Sequence, residues 1–327
     1  MYKRQVYNCN AAAVAPDANQ VLAGLRRTDL FTVVHEQFFT DTTDYADIIL
    51  PATTFLEHKE LMGAYGHYFV QISEQAIAPL GEARPNPWLF SELGRRMGFT
   101  EPAFQDSDDD LIAAALDSRH EALTGITPET LERAKRLPLT LPRNARGESL
   151  PFSEPGWFPT ATGRANILPV PEWKAAVESR AGEASVASEN LQAGTSARPA
   201  FPLEFLPRKA DNYMNTTFAN HPGHQAMERR TAGILEMHTI DAGARGITNN
   251  DAVEVWNDRG RIALVARVGS TVASGVVAAR LDWQKLSPEA ANVNMLTSQR
   301  LTDIGGGATF YSTLVEVERA RKPLAAD

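Results

Sequence analysis

The stretch Asp241–Val268, DAGARGITNNDAVEVWNDRGRIALVARV, decides how the last third of this 327-residue chain is read. It opens with a helical turn and then alternates apolar and polar residues with period two. Val253 and Val255 share one face, and Ile262, Leu264 and Ala266 continue that face beyond a tight turn at Asn257–Gly260. In this reading Gly260 takes the left-handed position that a hairpin turn needs. The segment holds no nucleophile, no metal cluster and no phosphate loop. FPLEFLP before it, and GVVAARLDW and TLVEVER after it, read as further strands. Many short strands with glycine turns predict a closed β-barrel over residues 201–327.

Upstream the pattern changes. QVYN reads as the end of a buried strand, and NQVLAGLRR as a helix with Val21, Leu22 and Leu25 on one side. LFTVVHE is a continuous apolar run of the kind found in buried parallel strands. A short turn capped by Thr43 or Asp44 leads to the strand IIL, stopped by Pro51. Strand, helix and strand in short succession predict βαβ units, and so a Rossmann-like α/β domain over residues 1–173. Ligands of such sheets sit at the carboxyl ends of the strands. Asn8 and Asn10 follow the first strand there, and His35 and Glu36 end the second. Residues 88–136 read as mostly helical, with Gly98 as a C-cap and the acids of DSDDD as a solvated helix start. Gly163 marks a hairpin turn. The Ala-, Ser-, Glu- and Gly-rich residues 174–200 read as a linker.

Composition excludes several classes. A formal net charge of −8 argues against a duplex nucleic-acid partner. No run approaches the ~20 apolar residues of a membrane span. The single cysteine, Cys9, can make neither an internal disulfide nor a four-cysteine cluster. It reads as a small buried residue beside a strand end, with a nucleophile or metal ligand as the alternative. His221 and His224 in HPGH lack a third ligand nearby and read as loop residues. The dinucleotide fingerprint, the P-loop, HExxH and GxSxG are all absent. MYKRQVYNCN has no apolar signal-peptide core and enters a strand at once. The chain is therefore expected to be the C-terminal piece of a longer protein, and a cytoplasmic one.

The block HEQFFTDTTDYADIILPATTFLEH resembles the third domain of molybdopterin oxidoreductases of the dimethyl-sulfoxide-reductase family, through Thr40, Thr42, Ala46, Asp47, Leu50 and Pro51. YNCNAAAVAPD is similar to the family's N-x-N-P turn, with Ala11 in place of proline. GEARPNPWLF is similar to its P-G-E-A segment, with Leu80 in place of proline. The opening stretch matches the family's C-terminal pattern at Ala242, Gly246, Ile247, Asn249, Asp251, Val253, Val255, Asn257, Gly260 and Ala266, and departs from it at Gly269. The likeness continues through NVNMLTSQRLTDIGGG and is weak near 101–150 and 174–200.

This resemblance implies a double-psi barrel as the molybdopterin dinucleotide-binding domain. It implies a small-molecule oxidoreductase with two molybdopterin guanine dinucleotides on one molybdenum or tungsten atom. A [4Fe–4S] cluster and the metal-ligating side chain are expected only in an N-terminal half, with that half or a redox subunit as partner. No catalytic residue and no metal ligand are carried onto this chain. The cofactor contacts implied in the α/β domain are Asn8, His35, Glu36, His58 and Asn86. Those implied in the barrel domain are Asn215, Thr216, Thr217, Asn220, His221, Asn294 and Tyr311. The competing reading is a non-catalytic cofactor- or nucleotide-binding module that assembles with a separate catalytic subunit.

Overall fold

The computed structural model describes residues 2–117, 120–143, 146–148, 158, 160–166, 201–229, 231–281, 292–302 and 306–321. Residues 174–200, read as a linker, lie outside the described residues, as do most flanks of the Gly163 turn. Two compact units emerge. One comprises Met1–Val34, Phe38–Ile49 and Val170–Asp327, and the other His35–Gln37 and Leu50–Pro169.

The first unit begins with β1 (Tyr2–Tyr7), α1 (Ala11–Val14), α2 (Ala18–Leu25) and β2 (Leu30–Glu36). A 3₁₀ turn, Thr42–Tyr45, then leads to β3 (Ile48–Pro51). These strands form the expected parallel sheet in the order β1-β2-β3. Its first strand departs from the expectation of a buried one. β1 lies at the sheet edge, and only Val6 of its six residues is buried. Cys9 is likewise exposed rather than buried. The 3₁₀ turn is not capped by Thr43 or Asp44. Instead Asn10 anchors it: Thr42 donates from its amide and its hydroxyl to Asn10 Oδ1 at 3.1 and 2.8 Å, and Asn10 Nδ2 donates to Asp41 at 3.0 Å.

The second unit contains a hairpin that the periodicity did not show. β4 (Glu60–Ala64) and β5 (His67–Ser73) pair antiparallel, and β6 (Arg136–Pro138) adds a third strand. Val70 and Ile72 of the sheet pack with Ile112 and Leu116 of α4 (Asp108–Leu116) and Leu131 of α5 (Pro128–Ala134). The acids opening α4 serve as expected, since Ser107 and Asp110 form a reciprocal capping box. The helix α3 (Asn86–Arg96) begins after Pro85 and ends at Met97, with Gly98 following at φ +84°.

The remainder of the first unit is the closed six-stranded barrel. Its strands are β7 (Leu203–Arg208), β8 (Ile234–His238), β9 (Ala252–Trp256), β10 (Arg261–Gly269), β11 (Val276–Arg280) and β12 (Thr313–Arg319). They run around the barrel as β10-β8-β11-β7-β12-β9, closed by β9 on β10. Two parallel pairs, β7 with β11 and β8 with β10, sit among antiparallel ones, as a double-psi barrel requires. α6 (Pro222–Glu228) and α7 (Thr239–Gly243) connect strands. Val253 pairs with Leu264 and Val255 with Ile262, and all four point into the barrel core beside Phe205, Leu235, Met237 and Val277. Burying apolar area here, at about 25 cal/mol per Å², is the main favourable contribution to the barrel.

The turn between β9 and β10 corrects one expectation. Gly260 is not left-handed. It is glycine because a Cβ would stand 2.7 Å from the Met295 carbonyl and 2.6 Å from Asn19 Nδ2. Asn257 forms the turn itself, accepting from Arg259 and Gly260 amides at 3.0 and 3.3 Å. No helix among the described residues is long and apolar enough to cross a membrane.

Candidate functional site

Of the polar residues expected at strand ends, Asn8 and Asn10 lie in the first unit, and His35 and Glu36 lie in the second with the segments that carry His58 and Asn86. The Glu36 carbonyl, the last of β2, accepts from Ala52 just after β3 at 3.0 Å. Ala52 in turn bridges Arg84 in parallel register, and Thr53 donates its amide to the Arg84 carbonyl at 3.2 Å. His35 is 2% exposed, and its Nδ1 meets the Leu50 carbonyl at 3.2 Å. Burial holds this imidazole below its ordinary pKa, with the Leu50 and Arg84 carbonyls pulling the other way. Glu36 is half-buried and accepts from Gln37 at 2.8 Å, and burial raises its carboxyl above the usual range. Thr53 Oγ1 bonds His58 Nδ1 at 2.9 Å, which ties His58 to the same segment. Asn86 enters as the first residue of α3, two residues after Arg84.

Two polar atoms of this set have no hydrogen-bond partner among the described residues, namely His35 Nε2 and Asn86 Oδ1. Buried polar atoms are nearly always satisfied, so these two stand out, one at the end of β2 and the other at the start of α3. Glu57 was not anticipated. It is 6% exposed, and its carboxylate accepts from Thr54 and Leu80 amides at 2.7 and 2.6 Å, bonds that hold it below the usual carboxylate range. It fixes the loop that carries His58.

The barrel-domain candidates divide by geometry. Asn215, Thr216, Thr217, Asn220 and His221 share one loop between β7 and α6. Asn215 is exposed and left-handed at φ +55°, and its side chain accepts from Lys209. Thr217 closes a tight turn on the Met214 carbonyl at 2.9 Å. His221 caps α6, its Nδ1 accepting from Gly223 at 3.2 Å, and stands edge-on to His224 at 5.1 Å. Tyr311 is 56% exposed. Asn8 is exposed and left-handed at φ +50° after β1.

Asn294 is different, because it is 1% exposed. Its Nδ2 donates to the Ala13 carbonyl at 3.1 Å, and its amide donates to Asn292 Oδ1 at 2.9 Å. Asn292 reaches the same carbonyl at 3.0 Å. These amides fasten α1 to the loop after β11, and the Asp17 amide adds a bond to Thr297 at 3.1 Å. A further set escaped the sequence: Asn212, Glu228 and Arg280 under the β7–α6 loop. Glu228 is fully buried and pairs with Arg280 at 2.8 Å.

The two regions match two family models. Residues 3–96 match the family described as molybdopterin oxidoreductase, and residues 203–314 the molydopterin dinucleotide binding domain. The chain belongs to the molybdopterin oxidoreductase family. Among its relatives is a probable oxidoreductase, YoaE, of Bacillus subtilis, 35% identical over 96% of this chain and 44% of that protein. Biotin sulfoxide reductase of Cereibacter sphaeroides is 27% identical over 88% of this chain and 40% of its own. Dimethyl sulfoxide reductase DmsA of Escherichia coli is 25% identical, over 92% and 39%. Acetylene hydratase from Pelobacter acetylenicus shares the fold, with a TM-score of 0.66 at 19% identity, over 98% of this chain and 44% of that one. This molybdopterin oxidoreductase chain thus spans less than half the length of the curated relatives it matches.

Proposed function

We propose that this chain is the cofactor-holding portion of a molybdenum or tungsten oxidoreductase that carries two molybdopterin guanine dinucleotides. The two unpartnered buried atoms, His35 Nε2 and Asn86 Oδ1, carry this reading. Both are acceptors, since a neutral His35 ring donates from Nδ1 to Leu50 and an amide oxygen only accepts, and they suit the N–H groups of a purine nucleotide, with Glu36 adding a half-buried carboxylate for the donor edge of guanine or for a ribose hydroxyl. His58, held by Thr53, would lie toward phosphate. Asn215, Thr216, Thr217, Asn220 and His221 would face pterin or pyrophosphate with amides, hydroxyls and backbone N–H groups. Asn8 and Tyr311 are exposed and free to join them. Asn294 would act by fixing the loop that bears it, since its amide is already engaged.

When bound, the cofactor would supply the redox centre at which a small substrate exchanges an oxygen atom or a hydride. The chain's own residues would bind it, orient it and exclude water. The metal-ligating side chain and any [4Fe–4S] cluster are assigned to a polypeptide matching the rest of the relatives' length. The division into an α/β domain over 1–173, a linker over 174–200 and a barrel domain over 201–327 belongs to the same proposal, as does a cytoplasmic location.

The test is to purify the chain from a host that makes the cofactor, oxidise it in acid, and measure released pterin by fluorescence and guanine by chromatography. Wild type should release both in equal amounts. Glu36→Ala and Asn86→Ala should each lower retention by about tenfold, one lost buried hydrogen bond to a charged or polar group apiece. Equal retention by all three proteins would remove the strand-end assignment.

A further inference from the structure

The loop between β7 and α6 is built against its own preference. Asn215 and Phe218 both adopt left-handed backbones, at φ +55° and φ +70°. For a bulky residue such as Phe218 this conformation is an outlier that costs on the order of 1–3 kcal/mol, and it persists only where its surroundings enforce it. The side chains of Met214 and Phe218 are nonetheless exposed, at 68% and 57%, so burial of these two side chains does not hold the loop.

What lies beneath it is a charge pair removed from water. Glu228 ends α6 at 0% exposure. One carboxylate oxygen accepts both the amide and the side-chain Nδ2 of Asn212, each at 2.7 Å. The other accepts from Arg280 Nη1 at 2.8 Å. Arg280, at the end of β11, also donates to Thr231 and lies 3.0 Å from Asp211. Asn212 then passes the constraint on, because its carbonyl bonds His224, whose ring stacks on Phe218 at 5.8 Å. A chain of contacts therefore runs from a barrel strand to the strained turn. A carboxylate at a helix C-terminus opposes the helix dipole, and burying it costs further, so helix stability does not explain Glu228.

We propose that Glu228 and Arg280 are positioning residues: they clamp Asn212 and so hold the Asn215–Phe218 turn in its left-handed form, in the shape that receives the dinucleotide. The last clause rests on the reading of this loop as a cofactor contact. Glutamine cannot replace Glu228, because two faces of the carboxylate accept hydrogen bonds and an amide offers only one oxygen. In Glu228→Gln either Asn212 or Arg280 must face an NH₂ group.

Hydrogen exchange followed by mass spectrometry on the intact chain tests the clamp. Glu228→Gln should exchange amides of residues 211–221 on the order of tenfold faster, while β7, β8 and β11 keep their wild-type rates. Asn212→Ala, which leaves the buried ion pair in place, should accelerate the same loop more weakly and serves if Glu228→Gln does not fold. An unchanged loop in both variants, or barrel strands accelerated in step with the loop, would overturn the proposal. Retained pterin, measured on the same samples, separates the two claims. A wild type that holds no pterin removes the cofactor reading and leaves the clamp to be judged by exchange alone. Full retention by a variant with a loosened loop removes the link between the clamp and the dinucleotide.

Discussion

Gly260→Ala should destabilise the barrel unit by about 1–3 kcal/mol, although the same change would ordinarily stabilise it. Gly260 does not have a positive φ, so alanine fits its backbone, and the loss of chain entropy in the unfolded state would favour the variant by about 0.4–1 kcal/mol. The contacts reverse that sign. The new Cβ would stand 2.7 Å from the Met295 carbonyl, a backbone atom in the 3₁₀ turn Val293–Met295 that Asn292 helps to shape. Overpacking of this kind costs about 1–3 kcal/mol. The second contact, 2.6 Å to Asn19 Nδ2, can be relieved by rotation, but only by giving up a 2.9 Å bond to the Arg259 carbonyl worth about 1 kcal/mol. Urea titration followed by far-UV circular dichroism gives the number, with Asn19→Ala as the control for the lost bond. The double variant should cost less than the two singles summed, since removing Asn19 clears one of the two contacts. A Gly260→Ala protein within about 0.5 kcal/mol of wild type, or strictly additive with Asn19→Ala, would refute the close-approach argument.

Other outcomes follow from the same geometry. His35 is buried with its pKa below the 6.5 of an unfolded histidine, so its contribution is fully present above that value and is lost as pH falls from there toward its folded-state pKa. The urea midpoint of wild type should therefore drop between pH 7 and pH 5, measured against about 6.5 as the upper edge, and the drop should be smaller in His35→Gln. Asn10→Ala removes the acceptor of both the Thr42 amide and hydroxyl and should cost about 2–3 kcal/mol in thermal or urea unfolding. A loss below about 0.5 kcal/mol would mean that this turn is held elsewhere. Phe205→Ala opens a cavity at a fully buried barrel position and should cost about 3–5 kcal/mol in the same assay.

The barrel was legible because its signal is local. Val253, Val255, Ile262, Leu264 and Ala266 alternate along the chain, and alternation is what a half-buried strand leaves in a sequence. Gly260 shows the limit. Its presence was visible and its reason was not, because the atoms that forbid a side chain belong to Asn19 and Met295, remote in sequence. QVYN reads as the end of a buried strand, yet exposure depends on strand order, which no single strand encodes. The β4–β5 hairpin was missed because ELMGA and HYFVQIS lack clear alternation and are joined by a short Tyr-Gly turn. Among site residues, His35 and Glu36 were legible as the polar end of an apolar run. Glu57, Glu228 and Arg280 were not, since a buried charge looks like any surface charge until its partner is placed beside it.

The fastening of α1 to the loop after β11 has a consequence for biosynthesis. Asn294 binds a carbonyl 281 positions earlier in the chain. At about 5–20 residues per second, a ribosome needs roughly 15–55 s to make the span between them. Through that interval the N-terminal segment must stay soluble without the loop that later holds it. The second unit, made in between, can fold first. The barrel closes only when β12, the last in sequence of its six strands, pairs with β7 and β9. Termination of synthesis before β12 would thus release a chain whose barrel is still an open sheet. Such a chain would be a natural substrate for chaperones and proteases, and synthesis of β12 becomes the step that commits the barrel unit to its native state.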